Sequence, residues 1–211
     1  MAHPRWCTRV ILIAAASLLA CHPAADRRMA RDSGIDSTLR AELLSLVAED
    51  QDRREEIPQA LARNDSVFLK GLLAADSART ARLKAIIDEH GWPGPDKVGS
   101  DGANAAWLIL QHSPDSALQE RMLPVLEQEA AAGRLPASDV AMLTDRVLVR
   151  SGKPQRYGNS FEFKDGRLVS NPIEDIEGLD ARRAAVGLPP MTEYVKMLAE
   201  EFKTPVVWPP R

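Results

Sequence analysis

The stretch ANAAWLILQHSPDSALQERMLPVLEQEAAAG, residues 103–133, decides the fold class. Ala103, Ala106, Trp107 and Leu110 recur at helical spacing and lie on one face of a helix predicted over Ala103 to His112. Ser113-Pro114 then offers a capping hydroxyl followed by a first-turn proline, which predicts another helix from Pro114 to Ala132, closed by Gly133. Two long helices joined by so short a connection point to a helical body.

Working outward, the same pattern holds in both directions. HGWPGPDKVGSDG (90–102) is a loop dense in Gly and Pro, and the segment before it, around Ser77 to His90, presents Leu83, Ile86 and Ile87 at helical spacing. That helix exits through Gly91 and Pro93. Further upstream, Leu39, Leu43, Leu46 and Val47 mark a helix capped by Asp36 or Ser37 and ended by Pro58. Downstream, Val140, Leu143, Thr144 and Val147 mark a helix over Ala137 to Arg150 that stops at Gly152-Lys153-Pro154. Phe161-Glu162-Phe163, the turn pair Asp165-Gly166 and Leu168-Val169 predict a β-hairpin. Two helices follow, near Asp180 to Val186 and over Thr192 to Phe202, and the tail Thr204-Pro205-Val206-Val207-Trp208-Pro209-Pro210 is not helical. The expected fold is a mainly α, single domain over 36–211, with about six or seven helices and one small hairpin near 161–169.

The N-terminus carries a different signal. Arg5 and Arg9 precede an apolar run, Val10 to Ala20, that falls short of the roughly 20 apolar residues a membrane span needs. Leu18-Leu19-Ala20-Cys21 resembles the lipobox of bacterial lipoproteins. The resemblance implies that residues 1–20 are a signal peptide, that Cys21 carries a thioether-linked diacylglycerol, and that the protein is anchored to membrane through this lipid. Long acyl chains contribute about 0.8 kcal/mol per buried methylene, so two or three of them anchor durably. Residues 21–35 are polar, mixed in charge and non-periodic, and read as a flexible tether with a reach of roughly 20 Å. The expected location is the periplasmic face of the cell envelope. His22 rather than Asp after the cysteine favours the outer membrane by the sorting rule of enteric lipoproteins.

Of two cysteines in 211 residues, Cys7 leaves with the signal and Cys21 takes lipid, so no disulfide is expected. The formal net charge is −3 and becomes more negative without Arg5 and Arg9, which argues against a nucleic-acid partner. No metal site is expected either, because His90 and His112 share no ligand spacing and no HExxH or free cysteine remains. Neither a phosphate loop nor a GxSxG nucleophile setting is present, and no cofactor is implied.

Polar residues of chemical interest concentrate between His90 and Tyr157. The ordered set Asp50-Gln51 with Arg53 or Arg54, Gly91-Trp92-Pro93, Val98-Gly99, Ala106-Trp107-Leu108, Gln111-His112, Asp145-Arg146-Val147, Gly152, Gln155 and Tyr157-Gly158 resembles the uncharacterised bacterial domain of unknown function 6624. The resemblance covers roughly residues 40 to 194 and implies no known reaction. Family members usually continue Tyr-Gly with Thr-Gln, where this chain has Asn159-Ser160.

Two roles stay open for each candidate. His112, at a helix end, suits a general acid or base near neutral pH, or a cap on its helix's last carbonyls. Asp145 is either a catalytic partner or the acceptor of an ion pair from Arg53 or Arg54, while Arg146 could clamp a carboxylate or phosphate. Gln111, Gln155 and Tyr157 complete the candidate ligand-binding set with Arg146, and Trp92 and Trp107 read as core. The expected function is a lipid-anchored envelope protein that binds an envelope partner or a small polar ligand. The alternative is a hydrolase or transferase using His112 as acid/base.

Overall fold

The computed structural model describes residues 34–209 and the dipeptide Ile11–Leu12. The lipobox, Cys21 and the tether lie outside the described residues. The described helices are α1 (Ser37–Arg54), α2 (Ile57–Ala62), α3 (Ser66–His90), α4 (Pro95–His112), α5 (Ser116–Ala131), α6 (Ala137–Arg150), α7 (Leu179–Ala185) and α8 (Met191–Phe202). The strands are β1 (Ile11–Leu12), β2 (Phe161–Lys164), β3 (Arg167–Ser170) and β4 (Val206–Val207). The fold is mainly helical with one small sheet, as the apolar periodicities require. None of the described helices is long and apolar enough to cross a membrane.

The chain divides into two compact units, with the boundary inside α6 between Leu143 and Thr144. The first holds α1 to α5 and the start of α6. Asp36 caps α1, its carboxylate accepting from the N–H groups of Thr38 at 3.1 Å and Leu39 at 2.9 Å. α4 lies against α1 and also against α3 and α5. It is the most enclosed helix of this unit, burying Val98, Ala103, Ala105, Ala106, Trp107, Ile109 and Leu110. Trp107 is a core residue, as its spacing predicts.

Several boundaries differ from expectation for identifiable reasons. α3 begins at Ser66, well before Ser77, because the Asp65 carboxylate caps it through the N–H of Phe68 at 2.9 Å. Pro58 follows the end of α1 but sits in the first turn of the additional helix α2, where its missing N–H costs nothing. α4 begins inside the expected loop, at Pro95, and breaks at Gly99, whose φ of 74° is left-handed. The N-cap of α5 is Asp115, accepting from the Leu118 N–H at 3.0 Å, and not Ser113. Ser113 instead accepts the Asp115 N–H at 3.0 Å, a turn that aims the stronger carboxylate cap at the helix.

The second unit contains the rest of α6, the sheet, α7 and α8. β2 and β3 form the expected antiparallel hairpin, with Phe161 opposite Ser170 and Lys164 opposite Arg167. The non-helical tail supplies β4, parallel to β3, and Ile11–Leu12 pairs antiparallel with Glu162 and Phe161. A hairpin alone is marginal in water. Here Phe161 and Leu168 are buried with Leu179 of α7 and Met191, Tyr194 and Leu198 of α8. The Phe161 and Tyr194 rings meet edge-on at 6.1 Å.

Candidate functional site

In the first unit, charged side chains from three helices close on one buried point. Asp50 on α1 is 1% exposed. Its Oδ2 lies 2.7 Å from His112 Nδ1 at the end of α4, and also accepts from Gln51 Nε2 at 2.7 Å. Its Oδ1 accepts from Arg54 Nη2 at 2.8 Å, one turn further along α1. Arg54 Nη2 also donates to Asp76 Oδ1 on α3 at 2.7 Å. Arg79, one turn beyond Asp76, donates to the same oxygen at 2.7 Å and stands 3.2 Å from Asp50 Oδ1. Two carboxylates, two guanidiniums and an imidazole thus form one continuous network, with Arg79 and His112 also buried. Such a cluster is tolerable only when every charge finds a partner, and this one pairs each carboxylate with both guanidiniums.

Burial by itself would raise the Asp50 carboxyl, but the hydrogen bonds and charges of His112 and Arg54 reverse this and hold it well below the usual carboxylate range. Asp50 is therefore an anion beside His112. An ionised carboxylate on Nδ1 fixes the imidazole's orientation and favours the tautomer with its proton there. Arg53 serves a different purpose, its guanidinium lying 5.4 Å over the Phe68 ring. The capping role considered for His112 falls to Gln119 of α5, whose Nε2 donates to the carbonyls of Leu110 at 2.8 Å and Gln111 at 3.2 Å.

Gln111 stands beside His112 on α4 and is 1% exposed. Among the described residues, neither its Oε1 nor its Nε2 has a hydrogen-bond partner. The indole Nε1 of Trp107, one turn earlier, is also buried and without an acceptor among the described residues.

The second unit holds Asp145, Arg146, Gln155 and Tyr157. Arg146 is buried on α6 next to Asp145. The partners of Asp145 correct the ion pair expected for it, because its carboxylate is taken up by backbone. Its Oδ1 accepts the N–H groups of Arg156 at 2.7 Å and Tyr157 at 2.9 Å, and its Oδ2 that of Asn159 at 2.8 Å. Arg54, the other half of that expectation, is the Asp50 and Asp76 partner described above. Burial pushes the Asp145 carboxyl up, while these three amides and the charge of Arg183 pull against it. Gln155 is spent in the same way. Its Nε2 donates to the carbonyls of Ser160 at 3.0 Å and Asn171 at 2.9 Å, and its Oε1 accepts the Ser160 N–H at 2.7 Å.

Tyr157 contributes main chain to this arrangement, its carbonyl accepting from Arg183 Nη1. Arg183, fully buried on α7, also donates to the Pro189 carbonyl at 2.7 Å and to Asn159 Oδ1 at 3.1 Å. Its guanidinium lies 4.8 Å from the centre of the Tyr194 ring. Asn159 therefore has a structural partner of its own in this chain. Gly158 turns the segment with φ 74°, and a Cβ there would lie 3.0 Å from Met191 Sδ. Gly158→Ala is expected to cost about 1–2 kcal/mol from the left-handed backbone alone, measured by urea denaturation against wild type.

The network members Asp76 and Arg79, and Arg183 in the second unit, were not among the residues singled out from sequence. Asp50 with Arg54 at i, i+4 and Asp76 with Arg79 at i, i+3 are helical ion-pair spacings, and that pattern was the available signal. Among the described residues, no group of three or more His, Cys, Asp and Glu side chains is placed to hold a metal ion.

Fold and site together define a class: a mainly helical chain whose first unit carries a buried carboxylate–guanidinium–imidazole network. A family model described as a family of unknown function (DUF6624) matches residues 37–206, and the chain belongs to that family. No curated protein and no solved structure matches the chain.

Proposed function

We propose that this chain is a lipid-anchored cell-envelope protein, held through Cys21 at the periplasmic face of the outer membrane, whose helical domain is a binding or accessory module. One observation carries the binding reading. The charged residues of the Asp50 network are paired within the protein, whereas the buried Gln111 amide next to His112 has neither donor nor acceptor satisfied among the described residues. A polar group kept out of water and left unpaired costs free energy that a bound ligand recovers. The ligand this favours is small, polar and uncharged, because the adjacent charges already balance. The lipobox supports the location, and a mature N-terminal peptide bearing the acyl mass on Cys21 is the matching measurement.

A second reading rests on a different observation. The 2.7 Å contact between His112 Nδ1 and the ionised Asp50 resembles the pairing that equips an imidazole for acid/base work through Nε2. In this reading Asp50, and not Asp145, orients the histidine.

One experiment separates them. The purified full chain, incubated with an envelope extract and recovered, is expected to retain a small compound intact, and Gln111→Leu to lose it. If the compound is instead consumed over time by wild type and not by an equally stable His112→Gln variant, the enzyme reading replaces the binding one.

A further inference from the structure

We infer that the outer edge of β2 is a docking site for an extended, apolar segment of another envelope protein, and that Ile11–Leu12 fill this site until residues 1–20 are removed. The inference rests on the lipoprotein reading for that removal. It adds a second site, in the second unit, to the one proposed at Gln111. Ile11–Leu12 pair antiparallel with β2, Leu12 opposite Phe161 and Ile11 opposite Glu162. They form the outermost strand of the order β1-β2-β3-β4, and both precede the lipobox. A chain cut before Cys21 therefore keeps β2, β3 and β4 and loses the strand that pairs with β2 on its outer side.

The alternation of an antiparallel ladder decides what that edge offers. The Asn171 N–H donates to the Ser160 carbonyl at 3.1 Å, so Ser160, Glu162 and Lys164 turn their N–H and C=O groups toward β3. Phe161 and Phe163 turn theirs the other way. Asn159, the preceding position of that alternation, is closed to a partner because Asp145 holds its N–H at 2.8 Å. Asp165, the following one, lies in the turn with φ 50°. The open stretch thus presents two N–H donors and two C=O acceptors, which match two alternate residues of an added strand.

Side chains select the occupant. A residue docked opposite Phe161 or Phe163 places its side chain on the face those rings share. Phe161 is buried with Leu168, Leu179, Met191, Tyr194 and Leu198, and Phe163 packs against the same cluster. The segment that fits is apolar at two positions two residues apart, and Val10-Ile11-Leu12-Ile13 has that composition. Backbone bonds give such a segment its attachment and alternate side chains its selectivity. A second copy of β2 fits badly. Pairing centred on Glu162 sets that carboxylate opposite its own copy, a destabilising like-charge pair. Pairing centred on Phe161 needs the Asn159 N–H, and pairing centred on Phe163 runs into the Asp165 turn.

The test compares the wild-type protein purified from membranes in detergent with the unprocessed chain, retained by Cys21→Ala and checked by mass. The probe is acetyl-Arg-Val-Ile-Leu-Ile-Ala-amide, the sequence of residues 9–14. Two controls carry one N-methyl group each, at the position of Leu12, whose N–H faces Phe161, or of Ile11, whose N–H faces away. Both partition alike into micelles. The processed protein is expected to bind the probe with slowed hydrogen exchange at the Phe161 and Phe163 amides. Methylation at the Leu12 position is expected to weaken binding at least tenfold, and methylation at the Ile11 position to leave it unchanged. The unprocessed chain is expected to bind at least tenfold more weakly than the processed one. Leu12→Pro added to Cys21→Ala removes the N–H that holds β1 and is expected to restore binding with residues 1–20 still present.

Equal binding of the two methylated peptides overturns the inference, as does unchanged exchange at Phe161 and Phe163. A processed protein that sediments as a dimer, with those amides protected before any peptide is added, assigns the edge to a second copy and overturns it too. Wild type that keeps residues 1–20 ends the lipoprotein reading instead. The docking site then stands or falls on whether Leu12→Pro opens it.

Discussion

Asp50→Asn is expected to destabilise the first unit by about 3–5 kcal/mol, the cost of removing one member of a buried charge pair. The carboxylate is the hub that Arg54, Arg79, Gln51 and His112 share. An amide of the same shape leaves two guanidiniums to Asp76 and points an N–H₂ at a donor. The sign of the pH dependence follows from the direction of the Asp50 shift. Its folded pKa lies below the unfolded one, so its contribution is fully present above the unfolded value of about 3.9. The contribution is lost as pH falls through the folded value. Urea denaturation of wild type and Asp50→Asn is therefore expected to show the widest gap near neutrality, narrowing below about pH 4. A gap that stays constant into acid would mean that Asp50 does not act as an anion in this network.

Asp145→Ala is expected to have an effect of comparable size in the second unit, about 3–5 kcal/mol, through a different mechanism. Three main-chain N–H groups, of Arg156, Tyr157 and Asn159, lose their common acceptor. The buried Arg183 loses its nearby countercharge at the same time. Asp145→Asn keeps one acceptor oxygen for two of the amides and turns a donor toward the third, so about half the loss is expected. Hydrogen exchange checks this locally. The amides of residues 156, 157 and 159 are expected to lose protection in Asp145→Ala ahead of the hairpin β2–β3. Unchanged protection there would mean that the segment is held by Gln155 and Arg183 alone.

The two variants also mark what a sequence can disclose. α6 was readable to its ends, because Val140, Leu143 and Val147 form a single stripe and a Gly-Lys-Pro stop follows. The N-terminal half of α3 was not. Its apolar residues do not keep to one side, with Val67 80% and Leu73 53% exposed, so periodicity gave no sign of a helix before Ser77. The break at Gly99 was hidden for another reason: a glycine in a Gly-rich loop looks the same whether it interrupts a helix or precedes one.

For the site, the difference lies in which partner each residue takes. His112 reads as an isolated histidine, because Asp50 stands 62 positions away. The pairs Asp50–Arg54 and Asp76–Arg79 were visible as spacings, but nothing local shows that two helices merge them into one cluster. Asp145 was harder still. Its partners are backbone amides, which every residue but proline has, so no side-chain pattern could announce them. That the Gln111 amide finds no partner among the described residues follows from packing alone and has no signature in sequence.

The break in α4 has a consequence for how that helix is set against α1. Just past Gly99, Asp101 forms a two-pronged contact with Arg40, through Nε at 2.8 Å and Nη2 at 2.5 Å. At the other end, His112 meets Asp50. Both contacts advance in the same direction along the two helices, so α1 and α4 run parallel and are pinned twice, about 15 Å apart. One pin would leave α4 free to turn about its axis; two fix both its rotation and its lengthwise position. A slip of a single residue would swing the imidazole about 100° off the carboxylate. The surface pair Arg40–Asp101, worth little as an ion pair by itself, thus works as a phase mark that brings His112 round to Asp50.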